Sequence, residues 1–333
     1  QSHELGAEMW GYVPMNLLPH LQWLTENNYP HVYYVDAPPQ SFDVNIFTPD
    51  TTHPNGWGTI LVVGMRLGGG AFPVDLDGDT NNETVMRSAL IILDITDPEK
   101  PPTLIAELSA PELGYTTGMP TVVKSRQPSA LGGFITPATN RWLLVFGSGP
   151  DTLSTAVSNG QDAKLFTYDL VNRQMVAINA AAQTPAANPS GFFGDFKAVD
   201  WENDYVDDVI YVGTVEGSEI TPSGRMQRIV LNNTAANMGL STGAAQMSDV
   251  LNMGQAVTAA PLTQQAVGKN ERWLLFGTGR LFTTADNRST TQQSYYGIKE
   301  PPSYDTSTLT KAKLVSSNNI LVSTNGNISQ GSV

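Results

Sequence analysis

Residues 200–213, DWENDYVDDVIYVG, carry acidic side chains at alternate positions just before a run of branched apolar residues. Asp200, Glu202 and Asp204 stand at positions 1, 3 and 5, Asp208 stands at position 9, and Val206 between them could offer its carbonyl oxygen. Calcium takes roughly six to eight oxygen ligands, and the leading part of helix-flanked calcium loops uses this odd-position spacing. Alternate residues of a tightly curled loop point inward together, so the spacing predicts a Ca²⁺ site.

This segment departs from the helix-flanked loop in two ways. Tyr205 occupies position 6, where that loop has glycine, and Tyr211 occupies position 12, where it has glutamate. The flanking residues FKAV and VIYVG are strand-like, which predicts a loop within a β-hairpin. The alternative interpretation is an acidic, solvated turn that protects the end of a strand.

A second acidic segment, DLDGDTNNE, has the same register. Its oxygen-bearing side chains at positions 1, 3, 5, 7 and 9 are Asp75, Asp77, Asp79, Asn81 and Glu83. Gly78 lies at position 4, and the segment falls in an insertion between two predicted strands. The sequence is compatible with a second calcium site or with a flexible, solvated loop.

Motifs of enzyme chemistry are missing from the sequence. His3, His20, His31 and His53 show none of the spacings used by zinc sites, so we expect them to be surface or packing residues. There is no GxSxG motif and no cysteine, and the glycine-rich RLGGG (66–70) lacks the Lys-Ser/Thr of a phosphate loop. Acid pairs could hydrolyse glycosides, but the required carboxylate separation is not readable from sequence. Nothing in the sequence demands an enzyme.

The acidic segments lie among repeated strand units. Each unit has an apolar strand that ends in glycine, then a second strand that ends near an aspartate, as in residues 57–70 followed by 87–108. We expect the first strand to be buried on both faces and the aspartate to accept backbone N–H groups in the next turn. The RWLL segments at 141–144 and 272–275 are nearly the same phrase.

Recurring units of this kind predict an all-β propeller with four-stranded blades. At roughly 40–50 residues per blade, 333 residues would make about seven blades. A pair of β-sandwiches is the alternative. Outside the units, residues 9–26 carry Leu17, Leu18, Leu21 and Leu24 as a short helical face between proline residues.

The overall composition limits the possible partners. A net charge of −13 repels nucleic acid and anionic lipid but favours divalent cations. No apolar run is long enough to span a membrane. Residue 1 begins directly in polar sequence with no visible signal peptide, so we expect the chain to be part of a longer one.

Several phrases together resemble a known family. GAEMWGYVPMNLLPHLQWL, YPHVYYVDAPPQSFDV, LDITDPEKPP, YTTGMPTVV and LLFGTGRLF are similar, in order, to the C-terminal propeller domain of the PilY family of type IV pilus biogenesis factors and tip-associated adhesins. The resemblance covers residues 4–300. The segments LDITDPEKPP and GAEMWGYVP are the most specific.

The resemblance implies a modified seven-bladed propeller over residues 1–300, similar in shape to quinoprotein dehydrogenases. It leaves 301–333 as a polar tail or an incomplete closing blade. It also implies a Ca²⁺ loop that controls pilus extension and retraction, and the matching residues here are Asp200, Glu202, Asp204, Val206 and Asp208. Glu202 replaces the Asp or Asn usual at position 3.

Three functions remain open from the sequence. The leading hypothesis is a non-enzymatic, exported Ca²⁺-bound propeller at the pilus tip, cell surface or outer envelope of a Gram-negative bacterium, with pilins or minor pilins as partners. No RGD-type motif identifies a host receptor. The alternatives are a quinoprotein-type periplasmic dehydrogenase, suggested by the fold shape, and a scaffold propeller whose acidic loops bind no metal.

Overall fold

Four antiparallel sheets follow one another along the chain in its computed structural model. The structure describes residues 5–81, 84–125, 141–153, 162–176, 191–218, 221–231, 246–266, 271–306, 309–317, 320–322 and 328–330. Consecutive strands of each sheet are neighbours, so each sheet is a meander. We refer to the sheets in chain order as blades 1 to 4.

Blade 1 has four strands: β1 (Gln40–Asn45), β2 (Trp57–Gly64), β5 (Leu90–Asp94) and β6 (Thr103–Leu108). A separate two-stranded ribbon, β3 (Phe72–Val74) and β4 (Thr84–Met86), is inserted between β2 and β5. Blade 2 consists of β7 (Thr121–Ser125), β8 (Arg141–Gly147), β9 (Leu165–Asp169) and β10 (Gln174–Val176).

Blade 3 contains β11 (Gly191–Val199), β12 (Val209–Gly217), β14 (Arg225–Val230) and β15 (Gln246–Asn252), and the short β13 (Pro222–Ser223) pairs with β12. Blade 4 has three strands: β16 (Leu262–Gln265), β17 (Arg272–Gly277) and β18 (Tyr295–Glu300). A final ribbon joins β19 (Ile320–Val322) to β20 (Ile328–Gln330). The described residues thus contain four blade-like sheets, and the number seven stays a prediction.

The helices are short. Among the described residues, one α-helix, Thr284–Arg288, follows blade 4's second strand, and 3₁₀ segments cover Met15–Thr25, Pro54–Gly56, Pro111–Leu113 and Lys311–Lys313. No helix in the described part of the chain is long and apolar enough to cross a membrane.

The helical face predicted near the N-terminus is wrong in detail. The segment Met15–Thr25 is helical, but it buries Leu17 and His20, while Leu18, Leu21 and Leu24 are exposed. The reason is the helix type: a 3₁₀-helix has about three residues per turn, so the buried face repeats at i and i+3.

The core lies between successive blades. Val44, Ile60 and Ile92 of blade 1 pack with Leu144 and Phe146 of blade 2. Two further clusters join blade 2 to blade 3 and blade 3 to blade 4, and the second of these includes Tyr211, Leu274, Phe276 and Ile298. Successive blades therefore bury apolar faces against one another.

Glycines on the second strands make this close packing possible. A Cβ atom at Gly147 would lie 2.6 Å from Cβ of Phe193 in blade 3, and one at Gly213 would lie 2.5 Å from the carbonyl oxygen of Val257 ahead of blade 4. Gly64 approaches Thr116, ahead of blade 2, in the same way. The predicted glycine-ended strands are thus the joints between blades.

The predicted aspartate turns are confirmed. Asp94 ends β5 and accepts hydrogen bonds from the Thr96 amide at 3.0 Å and its hydroxyl at 2.6 Å. Asp169 ends β9 and accepts from the backbone N–H groups of Val171 and Asn172. The two RWLL segments both form second strands, β8 and β17. Strand β12 is buried along almost its whole length, as predicted, whereas β2 alternates buried and half-buried residues.

The glycine joints give a direct prediction. Gly213→Ala forces a Cβ atom against Val257, and we expect it to lower the free energy of unfolding by about 1–3 kcal/mol. The measurement is urea unfolding followed by circular dichroism.

Gly277→Ala is the matched control, because a Cβ atom at this second-strand glycine of blade 4 has its nearest contact at 3.8 Å, on Tyr295. We expect a change within about 0.5 kcal/mol for this variant. Equal losses of unfolding free energy in the two variants would contradict the role of Gly213 in the close contact between blades.

Candidate functional site

The first acidic segment forms the loop of a β-hairpin, as the sequence predicts. Strand β11 ends at Val199 and β12 begins at Val209, and these two residues are paired across the ladder. The Asp208 amide donates to the Val199 carbonyl at 2.9 Å, which closes the loop at its base. The loop therefore projects from one end of blade 3.

Asp200 shapes the tip of this loop. Its carboxylate accepts hydrogen bonds from the backbone N–H groups of Asp204 at 3.2 Å and Tyr205 at 2.7 Å. Asn203 and Tyr205 adopt left-handed backbone conformations, with φ of 57° and 65°. These conformations curl the chain around the Asp200 side chain, and the loop needs no glycine at position 6 to do so.

Asp208 holds the start of the loop from inside. Its Oδ2 accepts hydrogen bonds from the amides of Trp201 at 2.7 Å and Glu202 at 3.1 Å. The side chain is almost fully buried. Burial raises the pKa of Asp208, and the nearby charges of Glu202 and Asp200 add to this effect, whereas the two amide hydrogen bonds oppose it.

Asp207 is a residue of this site that the odd-position frame misses. Its Oδ2 accepts the backbone N–H of Lys124 in β7 at 2.8 Å, and its own amide donates to the Lys124 carbonyl at 3.0 Å. These two bonds tie the loop to blade 2. Burial raises the pKa of Asp207 to about 6, with a contribution from the charges of Asp200 and Asp208. The Asp-Asp doublet was the only sequence signal for it.

The loop concentrates acidic side chains at one end of blade 3. Among the described residues, no lysine, arginine or histidine side chain forms an ion pair with Asp200, Glu202, Asp207 or Asp208. Yet no three acidic or histidine side chains of this loop bring ligand atoms within 4.8 Å of one another. The predicted convergence of the odd-position carboxylates on one centre is therefore not present in this structure, because Asp200, Asp204 and Asp208 accept loop amides.

The second acidic segment is more convergent. It connects β3 to β4, and Asp75, Asp77 and Asp79 each place one carboxylate oxygen within 4.8 Å of the others. Asp75 accepts the amides of Gly78 at 2.6 Å and Thr80 at 2.7 Å, and these bonds lower its pKa. The Asn81 amide donates to Asp79 at 2.8 Å. Glu83 lies outside the described residues.

The histidines occupy separate places. His20 is buried beside Trp23 and Phe72, and its Nε2 lies 3.3 Å from the Gly69 carbonyl, which makes it a packing residue as predicted. His53 stacks on Phe47 and pairs with Asp50 and Asp94, whereas His31 contacts Tyr33. His3 lies outside the described residues.

A cavity of about 260 Å³ lies where the segments ahead of several blades meet. Its lining includes Arg66, Thr116, Gly118, Asp195 and Thr258, and the described residues around it include no tryptophan. Trp142 instead packs edge-on against Trp57 between blades 1 and 2, at a ring distance of 5.8 Å.

Comparison with known proteins places the chain in a family. The model of the PilY1 beta-propeller domain matches residues 14–330. The chain belongs to the PilY1 β-propeller domain family. The predicted resemblance and the all-β propeller fold are thereby confirmed, and the match continues beyond residue 300, where a tail or closing blade was predicted.

Individual PilY1 relatives agree with this assignment. The chain is 26% identical over 299 residues to a type IV pilus biogenesis factor PilY1 homolog of Xylella fastidiosa, covering 88% of this chain and 19% of that protein. It is 25% identical over 316 residues to the type IV pilus biogenesis factor PilY1 of Pseudomonas aeruginosa, covering 88% of this chain and 23% of that protein. The chain thus spans about a fifth of the length of these relatives.

A solved structure supports the fold. The crystal structure of the Pseudomonas aeruginosa PilY1 C-terminal domain matches with a TM-score of 0.55 and 21% identity, covering 89% of this chain and 54% of that one.

The buried Asp207 predicts an unusual dependence of stability on pH. Its folded pKa of about 6 lies above the ordinary value of 3.8, so the unfolded chain releases this proton first as the pH rises. In buffer with a chelator, the wild type should lose up to roughly 3 kcal/mol relative to Asp207→Asn between pH 4 and 7. Urea unfolding at several pH values measures this difference.

Asp286→Asn is the control of opposite sign. Burial opposes ionisation of Asp286, but hydrogen bonds from Phe282, Arg280 and Thr283 outweigh it and lower its pKa, so the wild type should gain stability relative to this variant as pH rises. A wild-type advantage over Asp207→Asn that stays constant or grows with pH would contradict the burial of Asp207.

Proposed function

We propose that this chain is the calcium-binding propeller of a type IV pilus assembly and tip-associated adhesion protein, in which Ca²⁺ orders the loop of residues 200–208 and tunes pilus extension and retraction. The observation that carries the proposal is the group of acidic residues that this loop brings together, of which Asp208 is almost fully buried and Asp207 is partly buried. The family assignment and the names of the relatives support the pilus context.

The donor set suits calcium. Asp200, Glu202, Asp204 and Asp208 supply carboxylates and Val206 can supply a carbonyl, and Ca²⁺ prefers such hard oxygen ligands in flexible geometry. A carboxylate has about four lone-pair sites, so Asp200 and Asp208 can keep their bonds to loop amides and still bind a cation. When bound, the cation would offset the charge that these residues now hold in a partly buried place.

Each residue has a separate task in this proposal. Asp208 fixes the first residues of the loop, Asp200 fixes its tip, and Asp207 anchors it to blade 2 through Lys124. Asp204 and Glu202 are exposed, so their side chains are free of core packing and would rotate toward Asp208 to bind the cation.

We propose a second calcium site in the ribbon of blade 1, formed by Asp75, Asp77, Asp79, Asn81 and Glu83. The close approach of the first three carboxylates supports it. Left-handed backbone at Gly78 and Thr80 holds these side chains on the inside of the turn. This loop is exposed, so calcium here would order an inserted ribbon and leave the blades unchanged.

We propose that the protein is not an enzyme, that it is exported to the pilus tip or outer envelope, and that its partners are pilins or minor pilins. The naming of the relatives as biogenesis factors favours this reading over a quinoprotein-type dehydrogenase. A cavity lining without tryptophan gives no support to a stacked redox cofactor among the described residues. Adhesion to a surface is part of the same proposal.

Calcium titration tests the proposal. Calorimetry on the chelator-treated chain should show binding heat, and at a hundredfold excess over Kd the unfolding free energy should rise by about 2.7 kcal/mol per site. Asp204→Asn should remove the heat of the first loop, and Asp79→Asn should remove that of the second.

Asp43→Asn is the matched control, because it removes one exposed carboxylate from β1 and leaves both loops intact. It should bind like the wild type. A stripped wild type with neither heat nor a shift in Tm on adding calcium would overturn the metal proposal. In the source bacterium, the Asp204→Asn allele should change the amount of sheared surface pilin while Asp43→Asn does not.

A further inference from the structure

A buried cluster of charged residues lies between blades 3 and 4, beneath the acidic loop. It consists of Arg228 on β14, Arg272 on β17 and Glu300 at the end of β18, which are 2%, 6% and 1% exposed. Arg228 and Glu300 form an ion pair at 2.8 Å that joins the two blades. The role of this cluster is not explained by the family assignment.

One side of the cluster is covered by Trp201, the second residue of the acidic loop. The Arg272 guanidinium lies 5.7 Å from the centre of the Trp201 ring. The indole Nε1 donates to the Tyr211 hydroxyl at 3.1 Å, and the Trp201 amide donates to Asp208. Trp201 is therefore both a part of the loop and a cover of the buried charges.

The other side is covered by the segment after blade 4. The Tyr304 ring lies 5.5 Å from the Arg272 guanidinium, and its carbonyl accepts a hydrogen bond from Arg228. Thr306 accepts from Arg228 at 3.2 Å and donates to the Asp249 carbonyl at 2.9 Å. Leu309 and Leu314 pack further along the same core, so the described residues of the segment 301–317 are docked on blades 3 and 4.

The cluster depends on both covers staying in place. Among the described residues, Nε of Arg228, Nε of Arg272 and Oε2 of Glu300 have no hydrogen-bond partner. Buried polar groups without partners are costly, and water that reached them would satisfy them. Loss of one cover admits water to Arg272, and a hydrated guanidinium interacts more weakly with the ring of the remaining cover.

We propose that the acidic loop 200–208 and the segment 301–317 are coupled through Arg272, so that order in one stabilises the docking of the other. The Arg272 guanidinium lies 5.7 Å from the centre of the Trp201 ring and 5.5 Å from that of the Tyr304 ring, and each ring belongs to one of the two elements. The contact requires no metal, whereas its dependence on calcium rests on the function proposed above. In that case calcium bound at the loop tightens the segment on the opposite side of the cluster.

Hydrogen exchange on the chelator-treated chain tests the coupling without calcium. Tyr304→Leu, in the segment, should accelerate exchange of the loop amides of Trp201, Glu202 and Tyr205 by at least about tenfold. Thr306→Val, almost unchanged in shape, is a second segment variant that should act in the same direction. Loop amides that exchange at the wild-type rate in both variants would overturn the proposal.

A second test changes the arginine that links the two elements. Arg272→Gln should accelerate exchange in both the loop and residues 301–306, and it should speed trypsin cleavage at Lys311 and Lys313. Arg66→Gln, the same change at an arginine paired with Asp36 after β2, is the control, and Tyr295→Leu on β18 controls for loss of an exposed tyrosine. Exchange that rises equally in the controls, or in blade 1 as well, would overturn the coupling in favour of general destabilisation.

The same exchange measurement with added calcium distinguishes the coupling from the proposed calcium binding. If calorimetry shows binding at the loop, exchange in residues 301–306 of the wild type should slow by at least about tenfold. Binding heat with unchanged exchange there would overturn the coupling and leave the calcium proposal intact. Absence of heat would overturn the calcium proposal, and the Tyr304→Leu result would still decide the coupling.

Discussion

The close packing of one sheet against the next is the constraint on which this structure depends. The three largest clusters of buried side chains join blades 1 and 2, 2 and 3, and 3 and 4. The contacts are tight because glycines on the second strands leave room for the next blade's backbone. A side chain at Gly147 or Gly213 would have to displace atoms of a neighbouring blade, so these positions tie local sequence directly to the arrangement of the sheets.

That constraint also explains where the candidate site lies. Apolar side chains fill most of the space between the blades. Polar side chains therefore lie mainly in hairpin loops, with a few at the interfaces between blades. The loop 200–208 spans both settings: Asp200 and Asp204 organise its exposed part, whereas Asp207 and Trp201 reach the seams with blade 2 and blade 4. The loop therefore contacts the interfaces of blade 3 with both neighbouring blades.

The features that repeat locally could be predicted from the sequence. Short sequence motifs are enough to predict features whose contacts are local in the chain. These features are the glycine-ended strands, the turns closed by Asp94 and Asp169, and the hairpin around the acidic loop. Short motifs also carry the family resemblance. The buried leucines of the N-terminal helix were assigned wrongly, because the sequence does not distinguish a 3₁₀-helix from an α-helix. Convergence of the carboxylates at 200–208 was also expected and is not present, since loop amides compete for the same oxygens.

Long-range partners could not be predicted. Asp207 meets Lys124, and Trp201 meets Arg272 and Tyr304, only because the packing of successive blades brings together residues that are far apart in the chain. The RWLL phrase marks Arg141 and Arg272 as equivalent positions, yet Arg141 pairs with Asp169 of its own blade and Arg272 lies near two aromatic rings. The sequence shows that the RWLL segment is repeated, but it does not show which residues each arginine contacts.

Calcium binding at the loop 200–208 is tested most directly by a crystal structure of the chain grown with calcium, with anomalous diffraction measured to locate the ion. We expect an anomalous peak at this loop, with oxygens of Asp200, Glu202, Asp204, Val206 and Asp208 at about 2.3–2.6 Å from it. An ordered loop without a peak, in which Asp200 and Asp208 still accept only backbone amides, would contradict calcium binding there.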